Sequence, residues 1–584
     1  SRKVGPSLGL GAGRAQASVP VKPGQDIPLA MAILRWLFEN NAYQAAFLAN
    51  ANKAAAQAAG EKSWTNATWL VAVKDGRPGN FVRAKDLGLA EGHELVVMVN
   101  GAPAAVDPND TSHPVRGDLF VDATLADGTA VKSSLQILRE SAMRHTIEEW
   151  CEQVGVKPAD VVAVARELGR WGNRAAVDIH RGPAQHTNGF YAVLAWMSVN
   201  MLLGNFDHKG GMIAAATWDI TGKGGLFDMT AHPGAIPPIG ISSIRHNVDY
   251  EKTTLFAGYP AKRNWYPLAS DVYQEVLPSI ADAYPYPVKI LFLYMAAPTY
   301  ALPAGHTNIA ALLDLDKLPL IVSNDILIGP TSMYADYIFP DLSYLERWEF
   351  QGSHPNIPSK VQPVRQPVMA PIPEDCTVFG RRVPLSFEAM MLGIAEHLKL
   401  PGFGENGLGA GLDFYHPDDY YLRMVANLAF GEKKDAAQNV PDADAQELEL
   451  FHRARRHLPA TVYDPARWKA IVGEAIWPKV VYVLNRGGRY QDHPDGYKGE
   501  RVANAYGALL NLYQEKTAAT IHSGTGEPHP GYATDVPIRD FTGREPHTLN
   551  EGYDLAMITN RTISQTKSRT ITNPWLRALM PENG

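Results

Sequence analysis

Two apolar runs, residues 289–294 and 318–323, flank a helix-length stretch at 308–314, and this spacing constrains the chain more than any other feature. Neither run alternates with polar residues, so each reads as a strand covered on both faces. Strands of that kind separated by helices build a parallel, doubly wound sheet. Ligands of such sheets sit outside the carboxyl ends of the strands, which directs attention to 295–305 and 324–334. A second unit is expected from a short strand at 175–179, a loop from His180 to Gly189 and a long apolar helix over 190–203 that stops at Gly204. The expected fold class is therefore α/β, with doubly wound, mostly parallel sheets.

The remaining segments are arranged around that frame. Asp26 stands where an N-cap would, Pro28 falls in a first turn that needs no N–H from it, and 27–40 continues as an almost wholly apolar helix suited to a core. Short alternating pieces at 69–73 and 94–99 predict a small antiparallel excursion between 50 and 135. Helices are expected over 146–154 and 158–168. The stretch 355–375 holds Pro355, Pro358, Pro363, Pro367, Pro371 and Pro373, too many for a helix or a central strand, and reads as an extended arm. Residues 402–411 and 433–444 read as surface loops, and 480–484 and 555–559 as later buried strands. Asp413 to Asp419 reads as a helix cap with an acidic first turn in preference to a divalent-ion site.

Composition narrows the function classes. A net charge of −7 gives no basic surface for neutralising nucleic-acid phosphates. No apolar run approaches the roughly 18 residues that a membrane-spanning helix needs. Cys151 and Cys376 are far apart and outside any CxxC spacing, so neither a zinc site nor a four-thiolate cluster follows from them, and each reads as a packed hydrophobe. The chain opens on Ser1 without a Met or a basic leader and stops at Gly584 soon after Trp575, so both ends read as internal to a longer protein.

Several motifs, taken in order, resemble the molybdopterin oxidoreductases of the dimethyl sulfoxide reductase superfamily. Pro20 to Asp26 is similar to their Pro-x-x-Pro-Gly-Thr-Asp signature, with Gln25 in place of Thr. The resemblance implies that Gly24, Gln25 and Asp26 meet the guanine of one of two molybdopterin guanine dinucleotides. A carboxylate suits that role because it accepts from the N1 and N2 donors of guanine together, and an N-capping role for Asp26 stays open. His180 to Gly189 resembles the family loop that precedes a long helix, implying Gly182, Gln185, His186, Asn188 and Gly189 as cofactor neighbours, with the helix N-terminus suited to a pyrophosphate. Leu203 to Gly211 resembles the turn that closes this helix, although its glycines would serve tight turns equally well.

The segment from Ser323 to Arg347 carries the strongest likeness: Asn324-Asp325, Thr331-Ser332, Ala335 to Pro340 and Glu346 follow the family's cofactor loop and next strand. It implies Asn324, Asp325 and Thr331, with Ala297 and Pro298 on the neighbouring strand end, as contacts to the second nucleotide; a turn role for Asp325 stays open. Thr559, Arg561, Ser568 and Thr570 resemble the start of a C-terminal, β-barrel-like pterin-binding domain. The organisation implied is an α/β cofactor domain over 1–225 with a β insertion at 60–135, a second over 226–475, strands and linker over 476–550, and the start of the last domain at 551–584.

Within the superfamily, 329–348, 63–70, 273–287 and 482–489 look like the tetrathionate reductase version. That implies two-electron cleavage of a sulfur–sulfur bond at molybdenum held by bis-molybdopterin guanine dinucleotide. Arsenate, selenate or polysulfide reduction, or a metal-free scaffold role, are the alternatives. The metal-ligating side chain and the cysteines of a 4Fe-4S cluster are expected upstream of Ser1. The resemblance also implies export to the periplasm by an upstream leader, with an iron–sulfur electron-transfer protein and a quinol-oxidising membrane protein as partner subunits. Arg181, His186, Lys209, Lys223, Arg245, Lys252 and Arg263 are candidates for an anionic substrate by charge, each read first as solvated surface.

Overall fold

The two apolar runs pair in parallel. The computed structural model describes residues 19–179, 182–223, 225–231, 233–237, 239–352, 354–372, 375–541, 543–545, 570 and 573–579. In it Leu320–Asp325 lies between Ile290–Tyr294 and Tyr337–Pro340, with both pairings parallel. The register sets Tyr294 and Phe339 either side of Asn324, so the carboxyl ends of all three strands lie along one edge. Leu293 and Ile321 turn one face of this sheet onto Leu277, Ile280 and Leu312 of the helices Val276–Ala281 and Gly305–Leu313. Each such buried aliphatic side chain contributes about 1.5–3 kcal/mol.

The unit expected at 175–203 differs. Gly189–Leu203 is a helix closed by Gly204 in the left-handed region at φ 57°, but 175–179 is not a strand. Side chains bond its backbone instead. Asn200 Oδ1 accepts from Val177 N–H and Asn200 Nδ2 donates to Val177 O, both at 2.9 Å, while Asn205 Nδ2 donates to Ala175 O at 2.6 Å. A buried amide offers a donor and an acceptor much as a neighbouring strand does, so it satisfies an extended segment without a sheet. The centre of this unit is the helix Asp26–Glu39, whose Ile27, Ala30, Met31, Leu34 and Leu37 are fully buried against helices Ser134–Ala142, Ile147–Val154, Pro158–Trp171 and Gly189–Leu203. Two complete doubly wound sheets are therefore not what the described residues form. One three-stranded parallel sheet stands with a helical layer, and a two-residue parallel pair joins 64–65 to 509–510.

The antiparallel excursion consists of Arg77–Phe81, Leu70–Lys74, Ala130–Ser133 and Asp122–Thr124, in that order. A hairpin, Leu95–Val99 with Ala102–Val106, bridges to it through Trp69 and Arg83. It turns at Asn100-Gly101, both at positive φ (52° and 80°), as a tight hairpin requires.

Three further expectations are corrected. The proline-rich arm contains a central strand: Val361–Arg365 lies between Glu349–Phe350 and Gly488–Tyr490. Pro363 is accommodated because it pairs with Gly488 at a position where the neighbouring Val364 N–H makes the bond, to Gly487 O at 2.9 Å, and because the ladder on its other side covers only 364–365. The 480–484 run is not a strand but part of the helix Trp477–Asn485, started by Pro478 in its first turn; a short apolar run is ambiguous by periodicity alone. Within 402–411, Gly404–Gly409 pairs with Leu412–Phe414 as a hairpin. The expected strand at 555–559 lies outside the described residues.

A second core gathers helices Pro417–Phe430, Ala445–Arg455, Pro465–Val472 and Trp477–Asn485 around Phe451, Trp468 and Trp477. Asp418 knots it. Its carboxylate accepts from Trp348 Nε1 (2.9 Å), Trp468 Nε1 (2.8 Å) and Arg467 (2.6 Å) while almost wholly buried. His416 and Asp419 form the capping pair of the same helix, as the cap reading of 413–419 expects. Among the described residues no helix is long and apolar enough to cross a membrane.

Candidate functional site: two loop clusters

The N-terminal motif folds as a turn feeding a helix. Gln25 N–H donates to Lys22 O at 3.1 Å, and Gly24 sits at φ +80°, where a Cβ would also meet Ile538 Cδ1 at 2.5 Å. Asp26 is not the cap: it is the first helical residue, and Gln25 holds the cap position without a side-chain bond. The carboxylate is thereby left at the helix start, where the positive end of the helix dipole favours an anion. Burial pushes the Asp26 pKa up, and the nearby His186 imidazole and its own backbone N–H only partly oppose this. Among the described residues no other side chain donates a hydrogen bond to this carboxylate.

The loop that supplies His186 is held against the same place. Pro183–Gln185 makes one 3₁₀ turn and Gly189 N–H donates to His186 O at 2.9 Å. A Cβ on Gly189 would fall 2.4 Å from Ala184 O, so only glycine lets the helix start this close to its own loop. Asn188 is buried and spends its amide on Val536 O at 2.8 Å, while Gly182, Gln185 and His186 are exposed. Residues 536–539 strap both pieces: Ile538 abuts Gly24, and Arg539 N–H donates to Thr187 Oγ1 at 3.1 Å. The sequence offered no sign of this strap, since no local pattern joins positions so far apart.

Upstream of the strap, residues 520–529 fold back on themselves through the Ile521–Pro528 bridge, and His522 faces His529 with ring centroids 5.4 Å apart. Nδ1 of His522 accepts from Gly524 and Thr525 N–H, both at 3.1 Å, which keeps that nitrogen unprotonated. Burial, with His522 adding to it, pushes the His529 pKa down to about 4, and burial also lowers that of His522 against the pull of Glu527. A depressed histidine pKa gives stability that is complete above the unfolded value near 6.5 and is lost as pH falls toward about 4. Acidification across that window is expected to loosen 520–529 by up to roughly 3 kcal/mol. Hydrogen exchange of this segment at stepped pH measures it, and His529→Gln should flatten the response.

The second cluster lies at the carboxyl edge of the parallel sheet. Asp325 ends the central strand, partly exposed, with Oδ1 accepting from Ile326 N–H at 2.8 Å. Asn324 is buried; its Nδ2 donates to Phe339 O at 3.3 Å, and its Oδ1 has no hydrogen-bond partner among the described residues. Met295 N–H donates to Asn324 O at 3.2 Å, drawing the Ala297–Pro298 segment alongside. Thr331 is wholly buried and meets Thr299, a residue the motif reading did not single out although it follows Pro298 directly. A cavity of about 330 Å³ opens next to this edge, walled by Tyr294, Ile326, Tyr344, Phe350 and Tyr421, with Arg347 at its side. Its aromatic rings stand beside the charged Arg347, Glu349 and Arg365, a lining that suits a planar ring with polar edges. Among the described residues no hydrogen bond or ion pair joins this cluster to the one around Asp26.

Several charge-based candidates have other work. Arg245 is fully buried and pairs with Glu275, donates to Ser279 Oγ (2.7 Å) and to Asn264 O (2.8 Å). Arg263 shares Glu275 and adds Asp282. Both are structural. Lys252 pairs with Asp249, whereas Lys209, Lys223 and His186 are exposed. Arg181, with Thr559, Arg561 and Ser568, lies outside the described residues; Thr570 lies just before the short helix Pro574–Ala578. Burial raises the thiol pKa of both Cys151 and Cys376, which disfavours the reactive thiolate. Among the described residues no group of histidine, cysteine and acidic side chains is placed to hold a metal.

No family model matches the sequence. The chain is 42% identical to a selenate reductase subunit of Mesobacillus selenatarsenatis over 99% of its own length and 55% of that protein's. It is 34% identical to a tetrathionate reductase subunit of Salmonella typhimurium over 90% of its length and 52% of that protein's. The thiosulfate reductase molybdopterin-containing subunit of Salmonella typhimurium is 25% identical over 49% of this chain and 39% of its own. The chain spans about half the length of the first two relatives.

Proposed function

We infer the function from a premise that these relatives supply: the chain belongs to the catalytic subunits of the molybdopterin-containing reductases, in the dimethyl sulfoxide reductase superfamily. Its part is to hold the two nucleotide ends of bis-molybdopterin guanine dinucleotide, and the whole protein reduces an oxyanion of selenium or sulfur. Molybdenum, when bound, supplies the two-electron exchange with the acceptor. For the whole protein a metal-ligating side chain, a 4Fe-4S cluster and export to the periplasm are part of the same proposal.

The observation that carries the reading is the Asp26 carboxylate, half-buried, at a helix start and, among the described residues, without a side chain that donates to it. Paired N–H groups such as those on one edge of guanine would relieve that deficit. Gly24 and Gly189 keep the backbone close on either side, and the exposed Gln185 and His186 complete the rim. Asp325 and the aromatic cavity next to it suit the second purine in the same way. The residues therefore fit the group on their own chemistry.

For the acceptor, selenate comes first, because identity to the selenate reductase relative exceeds that to the tetrathionate reductase relative. Tetrathionate is the second reading, supported by the motif likeness at 329–348. The relatives' names mark them as subunits, and two electron-transfer partners, an iron–sulfur protein and a quinol-oxidising membrane protein, are proposed accordingly. The test uses the full-length protein, reduced viologen, and selenate, tetrathionate, arsenate and polysulfide compared on one preparation. The highest kcat/KM is expected with selenate; a preference for arsenate or polysulfide, or protein purified anaerobically without molybdenum and pterin, overturns the reading.

A further inference from the structure

We propose that Thr331 is a positioning residue: its hydroxyl clasps Thr299 and so sets the separation between the two strand-end segments that flank Asp325. This rests on the reading that the edge of the parallel sheet holds a nucleotide. A motif comparison places Thr331 among the groups that touch the cofactor, but its position in the fold assigns it different work.

The proton inventory decides the matter. Thr299 and Thr331 are 2% and 0% exposed, and their hydroxyl oxygens lie 2.6 Å apart. Thr299 Oγ1 also lies 3.2 Å from Pro330 O, an acceptor only, so the single Thr299 hydroxyl proton goes there. The proton shared at 2.6 Å is therefore that of Thr331, donated to Thr299 Oγ1. In return Thr331 Oγ1 accepts from Thr299 N–H at 3.3 Å. The Thr331 hydroxyl has thus given its one proton and stands sealed from any ligand. What it controls is the start of the helix Pro298–Ala301 relative to the loop that leaves Asp325.

The geometry around the pair makes this contact consequential. Gly305 packs under the same turn, where a Cβ would meet Thr299 O at 2.5 Å, and Gly329 N–H is held by Ser332 Oγ at 2.6 Å on the other side. Both segments are fixed to their own surroundings, and the Thr299–Thr331 contacts join them together with the Thr299 Oγ1 bond to Pro330 O. A β-branched side chain restricts χ1, so each hydroxyl is aimed before the other arrives.

Thr331→Val keeps the shape and removes the clasp; Thr331→Ser keeps the hydroxyl and loses a methyl. In the full-length protein, hydrogen exchange of peptides spanning 295–302 reads the clasp, and pterin released per chain reads its consequence. In Thr331→Val, exchange at Thr299 N–H is expected to rise at least tenfold and pterin content to fall severalfold, with both restored in Thr331→Ser. Thr299→Val is expected to reproduce the pterin loss and serves if Thr331→Val does not fold. Unchanged exchange in Thr331→Val, pterin loss without faster exchange, or Thr331→Ser behaving as Thr331→Val overturns the proposal. If wild-type protein carries no pterin, the functional reading has failed, and faster exchange alone then decides the clasp.

Discussion

Asp26→Ala is expected to weaken retention of the guanine-bearing cofactor by about 10- to 100-fold, because hydrogen bonds to a charged acceptor contribute roughly 1.5–3 kcal/mol. The carboxylate starts the helix Asp26–Glu39, its pKa is raised by burial, and among the described residues it accepts from no other side chain. Removing it therefore breaks little inside the protein, so the fold should hold while binding is lost. Asp26→Asn separates charge from shape: one acceptor remains, but an amide NH₂ replaces the other, facing a donor edge. Its loss should approach that of alanine. Asp325→Ala is expected to act in the same direction by a similar factor. Molybdenum and GMP released by mild acid hydrolysis, counted per chain, measure both. Full occupancy in Asp26→Ala with unchanged melting would remove the guanine role of this residue.

The largest loss of stability is expected from Asp418→Ala, roughly 3–5 kcal/mol, the range for breaking a buried ion pair by deleting one partner. The substitution strips an acceptor from Trp348, Trp468 and Arg467 at once and leaves the guanidinium charge half-buried. Asp418→Asn retains one oxygen and should lose less. The urea midpoint followed by tryptophan fluorescence reports this, since two of the affected groups are the fluorophores. A midpoint shift within error for Asp418→Ala would show that the second core is held by its aromatic packing alone. Cofactor content is expected to fall no faster than stability, which distinguishes this variant from Asp26→Ala.

How much of the site was legible depended on the range of the interactions. Gly24, Asp26 and Gly189 stood in recognisable local order, and the turn and the helix start they form need only neighbouring residues. The strap at 536–539 and the Thr299 partner of Thr331 were not legible, because each depends on segments brought together by the fold. Arg245 misled for the opposite reason: a charged residue reads as surface or substrate contact until Glu275 is seen beside it.

The parallel pairing of 290–294 with 320–325 and the burial of the helix at 26–39 followed from their apolar runs, but the expected cover on both faces holds only for the central strand: Ile290, Phe292 and Tyr294 leave one face of the edge strand exposed. Whether an extended or a short apolar segment became strand or helix was decided by tertiary structure. At 175–179 the amide of Asn200 took the place of a neighbouring strand, and at 480–484 Pro478 and the surrounding aromatic core favoured a helix. Backbone N–H and C=O groups must be satisfied wherever they are buried, but which partner satisfies them is set by what the rest of the chain places there.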